Sequence, residues 1–180
     1  MRKNITFPLT KADARTLHAG DMCYASGTLY TARDAAHKRM YESMERGEAL
    51  PISLKDTVLY YLGPSPAKPG QVIGSAGPTT ASRMDKYTPR MLAAGVTGVI
   101  GKGKRSKEVR ESLKKEGAVY FAAIGGAGAL LSKCIKEATV VAYEDLGTEA
   151  IRKLRVENLP VVVIMDTEGR DYYEEVESEV

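Results

Sequence analysis

The chain has 180 residues, of which 43% are hydrophobic and 27% are charged, the composition of an ordinary globular domain. Lys and Arg number 26 against 23 Asp and Glu, and the net charge of +3 is too small to indicate a nucleic-acid-binding protein. No apolar run is long enough to cross a bilayer, and no apolar core follows the basic residues of the start, so neither a membrane protein nor a secretory signal is predicted. We expect one domain over residues 1–180, located in the cytoplasm.

The two cysteines, Cys23 and Cys134, lie far apart in the sequence and form no C-x-x-C pair. They are too few for a disulfide framework, a zinc site or the complete ligand set of an iron–sulfur cluster within one chain. A reducing cytoplasm is therefore expected. If the chemistry requires a metal cluster, another chain must hold it.

Short strands and one strong helix are predicted in the first half of the chain. ITFPL and DMCYASGTLYTA have the apolar spacing of strands, whereas ARDAAHKRMYESMERG at 32–47 has helix formers at a period near 3.6 and a glycine at its end. DTVLYYL is rich in strand formers and is followed by a Pro/Gly-rich loop at 63–70 and by the short apolar run QVIGSA.

Beyond this point the pattern becomes regular. A helix predicted near 81–94 precedes the strand VTGVIG at 96–101, and the charged helix SKEVRESLKKEG precedes AVYFAAIGG. In the same alternation GAGALLSKCIKE leads to TVVAYEDL, and EAIRKLRVENL leads to PVVVIMD at 160–166. The alternation predicts parallel βαβ units and, by itself, a doubly wound sheet. DTEGRDYYEEV is expected to form a turn and a short polar edge strand.

The strand-to-helix junctions are the expected ligand-binding positions, because helix N-termini there present unpaired N–H groups. In SAGPTTASR, Thr79 and Thr80 supply hydroxyls, and the planar fork of Arg83 suits a carboxylate. Alternatively, one threonine is only a helix cap and Arg83 is a solvated surface residue. In VIGKGKRS, Lys102 stands between two glycines and either points inward or is solvated. The role of Gly125–Gly126 in AAIGGAGAL stays open.

A further candidate lies on the helix predicted over 32–47. Arg33 and His37 are four positions apart and share a face, so a guanidinium beside an imidazole could bind an anion and move a proton. The alternative is an ordinary helix surface with an Asp34–Lys38 pair and a partly buried His37. The sequence shows no G-x-S-x-G, P-loop or dinucleotide motif, and its cationic and hydroxyl groups suit a small dicarboxylate.

Taken together, TARDAAHKRM, SAGPTTASRMDKY, VIGKG and LGTEAIRKLRVENLPVVVIMDTEGRDYY resemble the β subunit of class I iron–sulfur fumarases and L(+)-tartrate dehydratases, which is also the C-terminal domain of the single-chain enzymes. The resemblance covers nearly the whole chain. It implies a single α/β domain of the swivelling β/β/α type, with a central sheet and helices packed on it, in place of the doubly wound sheet.

The resemblance also implies a hydro-lyase that is active only with an α subunit and converts fumarate to L-malate. In such enzymes a [4Fe-4S] cluster held by the α subunit acts as a Lewis acid. Carried over onto this sequence, Arg33 and Arg83 bind the substrate carboxylates, Thr80 and Lys102 bind substrate beside them, Thr79 accepts a proton near C3, and His37 is an acid/base or an orienting residue. An α2β2 assembly is expected.

Two other functions remain open at this stage. A tartrate dehydratase β subunit would carry the same motifs and produce oxaloacetate. A stand-alone organic-anion-binding module would have kept the fold without catalysis. An RNA-associated protein built on the basic stretch KGKRSK at 102–107 would bind nucleic acid in a salt-sensitive way, but we expect no nucleic acid and no membrane as a partner.

Overall fold

The computed structural model describes residues 2–124 and 128–178. Its strands are β1 (Arg2–Phe7), β2 (Met22–Thr31), β3 (Val58–Tyr60), β4 (Gly98–Gly101), β5 (Val119–Ala123), β6 (Ile135–Ala142) and β7 (Ile151–Met165). Its helices are α1 (Lys11–Ala14), α2 (Asp34–Glu45), α3 (Thr88–Ala93), α4 (Lys107–Glu116), α5 (Gly128–Ser132) and α6 (Tyr172–Ser178), with 3-10 segments at Ala81–Met84 and Glu144–Glu149. No helix of this described part is long and apolar enough to span a membrane.

Five strands form a closed, barrel-like sheet. The neighbours β2, β3, β4 and β5 run parallel, and β7 pairs antiparallel with both β5 and β2 and so closes the ring. Outside the ring, β1 pairs with β2 and β6 pairs with β7. The expected single α/β domain with a central sheet is confirmed. The open doubly wound sheet suggested by alternation alone is wrong, because β7 turns the sheet back on itself.

The strands bury two apolar clusters, one on each face. Along 58–62, side chains alternate between the barrel interior (Val58, Tyr60, Leu62) and the outer layer beneath the helices (Leu59, Tyr61). The outer layer also contains buried residues of α2, α3 and α4. The near-continuous hydrophobicity of β3, β4 and β5 therefore follows from burial on both faces.

The C-terminal third differs most from the sequence prediction. EAIRKLRVENL forms the first part of β7 rather than a helix, although its residues are good helix formers. Leu154, Val156 and Leu159 all point into the barrel interior, and the register against β2 shifts beside Asn158, whose φ is 52°. This β-bulge reconciles an irregular apolar spacing with a strand. Pairing with β2 and β6 thus overrides local propensity.

Three other predicted elements also differ from the structure in their bounds or their type. The helix expected near 81–94 is divided into the 3-10 segment Ala81–Met84 and α3, where Pro89 lies in the first turn. The helix in GAGALLSKCIKE ends at Ser132, and β6 begins at Ile135. The expected polar edge strand at the end of the chain is wrong: a turn is followed by α6.

Candidate functional site

The carboxyl ends of β2, β3 and β4 meet at one edge of the barrel. Beyond these ends the chain continues to pair, since Ala32 N–H donates to the Tyr60 carbonyl at 2.9 Å and Tyr61 N–H donates to the Ile100 carbonyl at 2.9 Å. The segments that leave the three strands therefore start side by side. These segments carry all the candidate site residues of the sequence analysis, although those residues are spread over 70 positions.

The GPTT turn is held between the ends of β3 and β4. Thr79 N–H donates to the Tyr61 carbonyl at 2.8 Å, Thr80 forms a bridge with Lys102, and Ala81 N–H donates to the Lys102 carbonyl at 2.8 Å. The first two predicted junctions thus form one feature. The side chain of Lys102 is exposed, and the third junction, at Gly125–Gly126, lies outside the described residues.

Neither threonine of the turn behaves as a simple helix cap. Thr80 occupies the capping position of the 3-10 segment Ala81–Met84, but its side chain makes no capping hydrogen bond. Thr79 is half-buried, and its hydroxyl has no hydrogen-bond partner within residues 2–124 and 128–178. Neither hydroxyl group is hydrogen-bonded to another described residue, so both are suited to contact a ligand.

Arg33 and Arg83 converge on one carboxylate, that of Asp34 at the first position of α2. Arg83 Nε donates to Asp34 Oδ2 at 2.9 Å, and Asp34 Oδ1 lies 3.5 Å from both Nε and Nη2 of Arg33. Arg83 is 53% exposed, whereas Arg33 is 23% exposed. Asp34 therefore pairs with two arginines rather than with Lys38, and it joins the GPTT segment to α2.

Arg33 is held by packing more than by hydrogen bonds. Its Nε is buried without a hydrogen-bond partner in the described structure and lies 4.0 Å from Glu149 Oε1, which accepts a hydrogen bond from Ala35 N–H instead. Its Cδ lies so close to Gly63 that a Cβ there would approach it to 2.8 Å. A partly exposed guanidinium with unused donors is suited to an incoming carboxylate.

His37 is completely buried beneath this cluster. Its Nδ1 lies 2.9 Å from the Arg33 carbonyl, so Nδ1 carries the proton and donates it, and its ring packs against Tyr61 with centroids 5.3 Å apart. Burial lowers the pKa of His37 to about 4, which leaves the imidazole neutral at physiological pH. The ring is therefore placed to hold the backbone of Arg33.

A second arginine–aspartate pair, which sequence reasoning missed, supports the site from the buried layer beneath the helices. The side chain of Arg105 is fully buried; its Nε donates to Asp85 Oδ1 at 2.6 Å and its Nη2 donates to Thr88 Oγ1 at 2.8 Å. The guanidinium carbon lies 5.2 Å from the ring centroid of Tyr61 and 4.8 Å from that of Tyr120. Both residues lie in segments that the sequence analysis singled out, Asp85 in GPTTASRMDKY and Arg105 in KGKRSK. A short basic run such as KGKRSK indicates solvated side chains, however, so the burial of Arg105 was not predicted.

The two cysteines are poor ligands for an iron–sulfur cluster. Burial in the barrel interior raises the pKa of Cys23 to about 11, and burial also raises the pKa of Cys134, whereas cluster ligation requires thiolates. Within the part of the chain that the structure describes, no three His, Cys, Asp or Glu residues are grouped to hold a metal ion. The residues present therefore do not fit a [4Fe-4S] cluster.

A cavity of about 530 Å³ lies between α4 and the segment after β7; Arg105 lines it, but Arg33, Thr79, Arg83 and Lys102 do not. Four basic and four acidic side chains line it, and Arg110 Nη1 donates to Glu174 Oε2 there at 2.7 Å. Because its charges balance and pair with one another, this cavity does not favour an anionic ligand. The barrel edge is the better candidate.

The chain thus has a closed, barrel-like sheet, with arginines and the GPTT turn at the ends of its parallel strands. The family model described as the fumarase C-terminus matches residues 2–176, and the chain belongs to that family, which confirms the resemblance inferred from the motifs.

Its relatives include proteins named fumarate hydratase and a putative tartrate dehydratase subunit. The chain is 41% identical over 85% of its length to "Fumarate hydratase class I, aerobic" of Salmonella typhimurium, and 42% identical over 86% of its length to "Fumarate hydratase 2" of Leishmania major. It spans only 27% and 28% of those two proteins. With the "Putative L(+)-tartrate dehydratase subunit beta" of Methanocaldococcus jannaschii it shares 38% identity over 96% of its own length and 91% of the relative's.

Proposed function

We propose that the chain supplies one half of the active site of a two-chain class I hydro-lyase that interconverts fumarate and L-malate. The observation that carries this proposal is the convergence of Arg33 and Arg83, from two separate segments, at the barrel edge that also bears Thr79 and Lys102. Four-carbon dicarboxylates carry two charges that paired guanidinium groups can bind.

The arrangement is suited to proton abstraction next to a carboxylate. Removing that proton moves negative charge onto the carboxylate oxygens, and a guanidinium aimed at them stabilises the transition state more than the ground state. We assign this role to Arg33 and Arg83, with Thr80 and Lys102 as additional contacts to substrate. Thr79 is the proposed proton acceptor near C3, since it is half-buried and its backbone is held at the same barrel edge.

His37 has a positioning role in this proposal rather than an acid/base role. A ring that is buried, neutral and bonded to the Arg33 carbonyl fixes the start of α2. Its low pKa, caused by burial, makes it a poor base at neutral pH. Of the two roles that the resemblance implies for His37, burial supports the orienting one.

The rest of the site must come from a partner. Threonine is a weak base, so Thr79 requires an activating group, for which we propose a carboxylate of the α subunit. Because the cysteines of this chain do not fit a [4Fe-4S] cluster, we assign the cluster to that subunit too. Support for a separate partner comes from the Methanocaldococcus relative, which is named a β subunit and has nearly the same length as this chain. We propose an α2β2 assembly in the cytoplasm.

A tartrate dehydratase that forms oxaloacetate is the second candidate function, and the same relative favours it. That protein is matched over 91% of its length, whereas the fumarate hydratases are matched over less than a third of theirs. The arginine pair suits either substrate, because tartrate and malate carry the same two carboxylates. Only the substrate hydroxyls distinguish the two reactions.

The decisive experiment is an anaerobic assay of the complex with its cluster-bearing partner. Fumarate, L-malate and both tartrates are tested in turn, and we expect turnover of fumarate and malate. Turnover of L(+)-tartrate alone would favour the second candidate. Activity of the isolated chain would contradict the two-chain proposal, and tight dicarboxylate binding to that chain in calorimetry, without turnover in the complex, would favour a stand-alone binding module.

A further inference from the structure

Asp34 occupies a central place between the two arginines that sequence motifs assign to substrate. Its two carboxylate oxygens are divided between them: Oδ2 accepts from Arg83 Nε at 2.9 Å, and Oδ1 faces Arg33 at 3.5 Å. Asp34 is only 31% exposed, so part of its charge is removed from water and its attraction to both guanidinium groups is strengthened accordingly. One acid thus connects two cations that would otherwise repel each other.

The geometry at Arg83 leaves a defined part of the guanidinium available. A guanidinium offers five N–H donors in a rigid plane, and Asp34 takes the one on Nε. The two terminal nitrogens of Arg83 make no hydrogen bond to the described residues, and the side chain is about half exposed. The outer edge of the fork, which is suited to a bidentate carboxylate contact, therefore faces away from Asp34.

Two neighbouring residues, Asp34 and Gly63, orient the side chain of Arg33. Asp34 Oδ1 lies 3.5 Å from its Nε and Nη2, and the absence of a side chain at Gly63 makes room for its stem. Because Asp34 contacts both guanidinium groups, the distance between them depends on this single carboxylate. A change at Asp34 should therefore alter the position of both arginines together.

We propose that Asp34 is a positioning residue that fixes the separation and orientation of Arg33 and Arg83, and thereby determines how tightly a four-carbon dicarboxylate binds. This inference rests on the proposed function and adds a residue to it. In the opposite role, a carboxylate between two arginines would compete with the substrate. The two roles predict changes of opposite sign in KM.

The test is a comparison of Asp34→Asn and Asp34→Glu in the complex with the cluster-bearing partner. Asparagine keeps the size and one acceptor oxygen of Asp34, but its NH2 group is a donor and faces one of the arginines. We therefore expect KM for malate to rise roughly tenfold, while kcat changes less than about threefold. Glutamate keeps the charge and both acceptor oxygens but is one methylene longer, so KM should rise less than in Asp34→Asn. Glu42→Gln, an exposed change on the same helix, is the matched control and should leave KM unchanged.

A double-mutant cycle with Arg83→Lys separates positioning from a general structural effect. Lysine keeps the charge but lacks the Nε edge that Asp34 holds, so Asp34→Asn should raise KM much less in that background. If Asp34→Asn raised KM as much in the Arg83→Lys background as in the wild type, the inference would be overturned. An unchanged or lowered KM in the Asp34→Asn single variant would overturn it as well. If the wild-type complex turns over no dicarboxylate, the proposed function fails and this inference with it; an active wild type with an indifferent Asp34 removes the inference alone.

Discussion

Two of the arginine–aspartate systems in the described residues have the same chemistry and opposite surroundings. Arg105 and Asp85 lie beneath the helices, where the arginine side chain is fully buried and bonded at 2.6 Å to its acid. Arg33, Asp34 and Arg83 lie at the barrel edge, where the arginines are 23% and 53% exposed and several of their donors are unused. Arg105 donates through Nε to Asp85 and through Nη2 to Thr88, and its Nη1, which has no partner among the described residues, is buried. The half-exposed Arg83, by contrast, has terminal nitrogens that make no hydrogen bond to the described residues and can reach a ligand.

This difference separates a structural charge from one that is available for binding. Buried Arg105 connects the end of the GPTT segment, through Asp85, to Ser106 at the start of α4, whose N–H donates to Asp85 Oδ2 at 2.8 Å. Removing an ion from water is costly, and the pair is stable only because each partner compensates the other. The edge cluster remains in contact with water and can accept a further carboxylate at lower cost.

The largest expected effect comes from breaking the buried pair. Asp85→Ala leaves the guanidinium of Arg105 buried without its counter-charge, so we expect a loss of about 3–5 kcal/mol in the free energy of unfolding. Urea denaturation of the purified chain measures it. The matched change in the exposed cluster, Asp34→Ala, should cost less than about 1 kcal/mol; equal losses would contradict the contrast between the two systems.

Removing an arginine of the edge cluster should affect activity rather than stability. In the reconstituted complex, Arg33→Met or Arg83→Met should lose about 2–4 kcal/mol of transition-state stabilisation, a decrease in kcat/KM of roughly 30- to 1,000-fold. The free energy of unfolding should change by less than about 1 kcal/mol. A variant with full activity would show that its arginine does not bind substrate.

His37 gives the fold beneath the edge cluster a defined pH dependence. Its pKa is lowered by burial from 6.5 to about 4, so between these values the unfolded chain binds a proton that the folded chain does not. Stability is therefore fully present above pH 6.5 and decreases as the pH falls, by about 2 kcal/mol between pH 7 and pH 5. Unfolding of His37→Gln, measured across the same range, should lack this contribution; an unchanged slope would assign it to other groups.

The smallest effect concerns the space that Gly63 leaves for Arg33. In Gly63→Ala the new Cβ would lie 2.8 Å from Arg33 Cδ, and the arginine must move to relieve the contact. We expect kcat/KM of the complex to fall by roughly tenfold with little change in stability, since small displacements of binding groups reduce rate strongly. In an Arg33→Met background the same change should have almost no further effect. A further loss of similar size in that background would show that Gly63 acts on something other than Arg33.

The sequence predicted well those features that depend on local signals. The helix beginning at Asp34, the parallel strands β3, β4 and β5, and the strand-to-helix junctions with Thr79 and Lys102 all follow from periodicity and turn residues. The family resemblance added the grouping of Arg33 with Arg83, and the structure brings these two residues to one carboxylate.

What the sequence did not predict depends on distant partners. The strand β7 begins with helix formers, and only its pairing with β2 and β6 fixes it as extended chain. Arg105 lies in a basic run, and its burial depends on Tyr61 and Tyr120, far away in sequence. The alternative of an ordinary Asp34–Lys38 pair failed for the same reason, because the true partner, Arg83, belongs to another segment.

The closure of the sheet by β7 constrains the order in which the protein can assemble during synthesis. Met22 at the start of β2 pairs with Val162 in β7, so β2 cannot complete its pairing until β7 has been translated. Until β7 leaves the ribosome, β2 and β5 each expose an unpaired edge, and the sheet is not closed around the apolar interior. We therefore expect nascent chains that end before residue 151 to be sensitive to proteolysis and dependent on chaperones, and the edge cluster to form only after translation has passed β7.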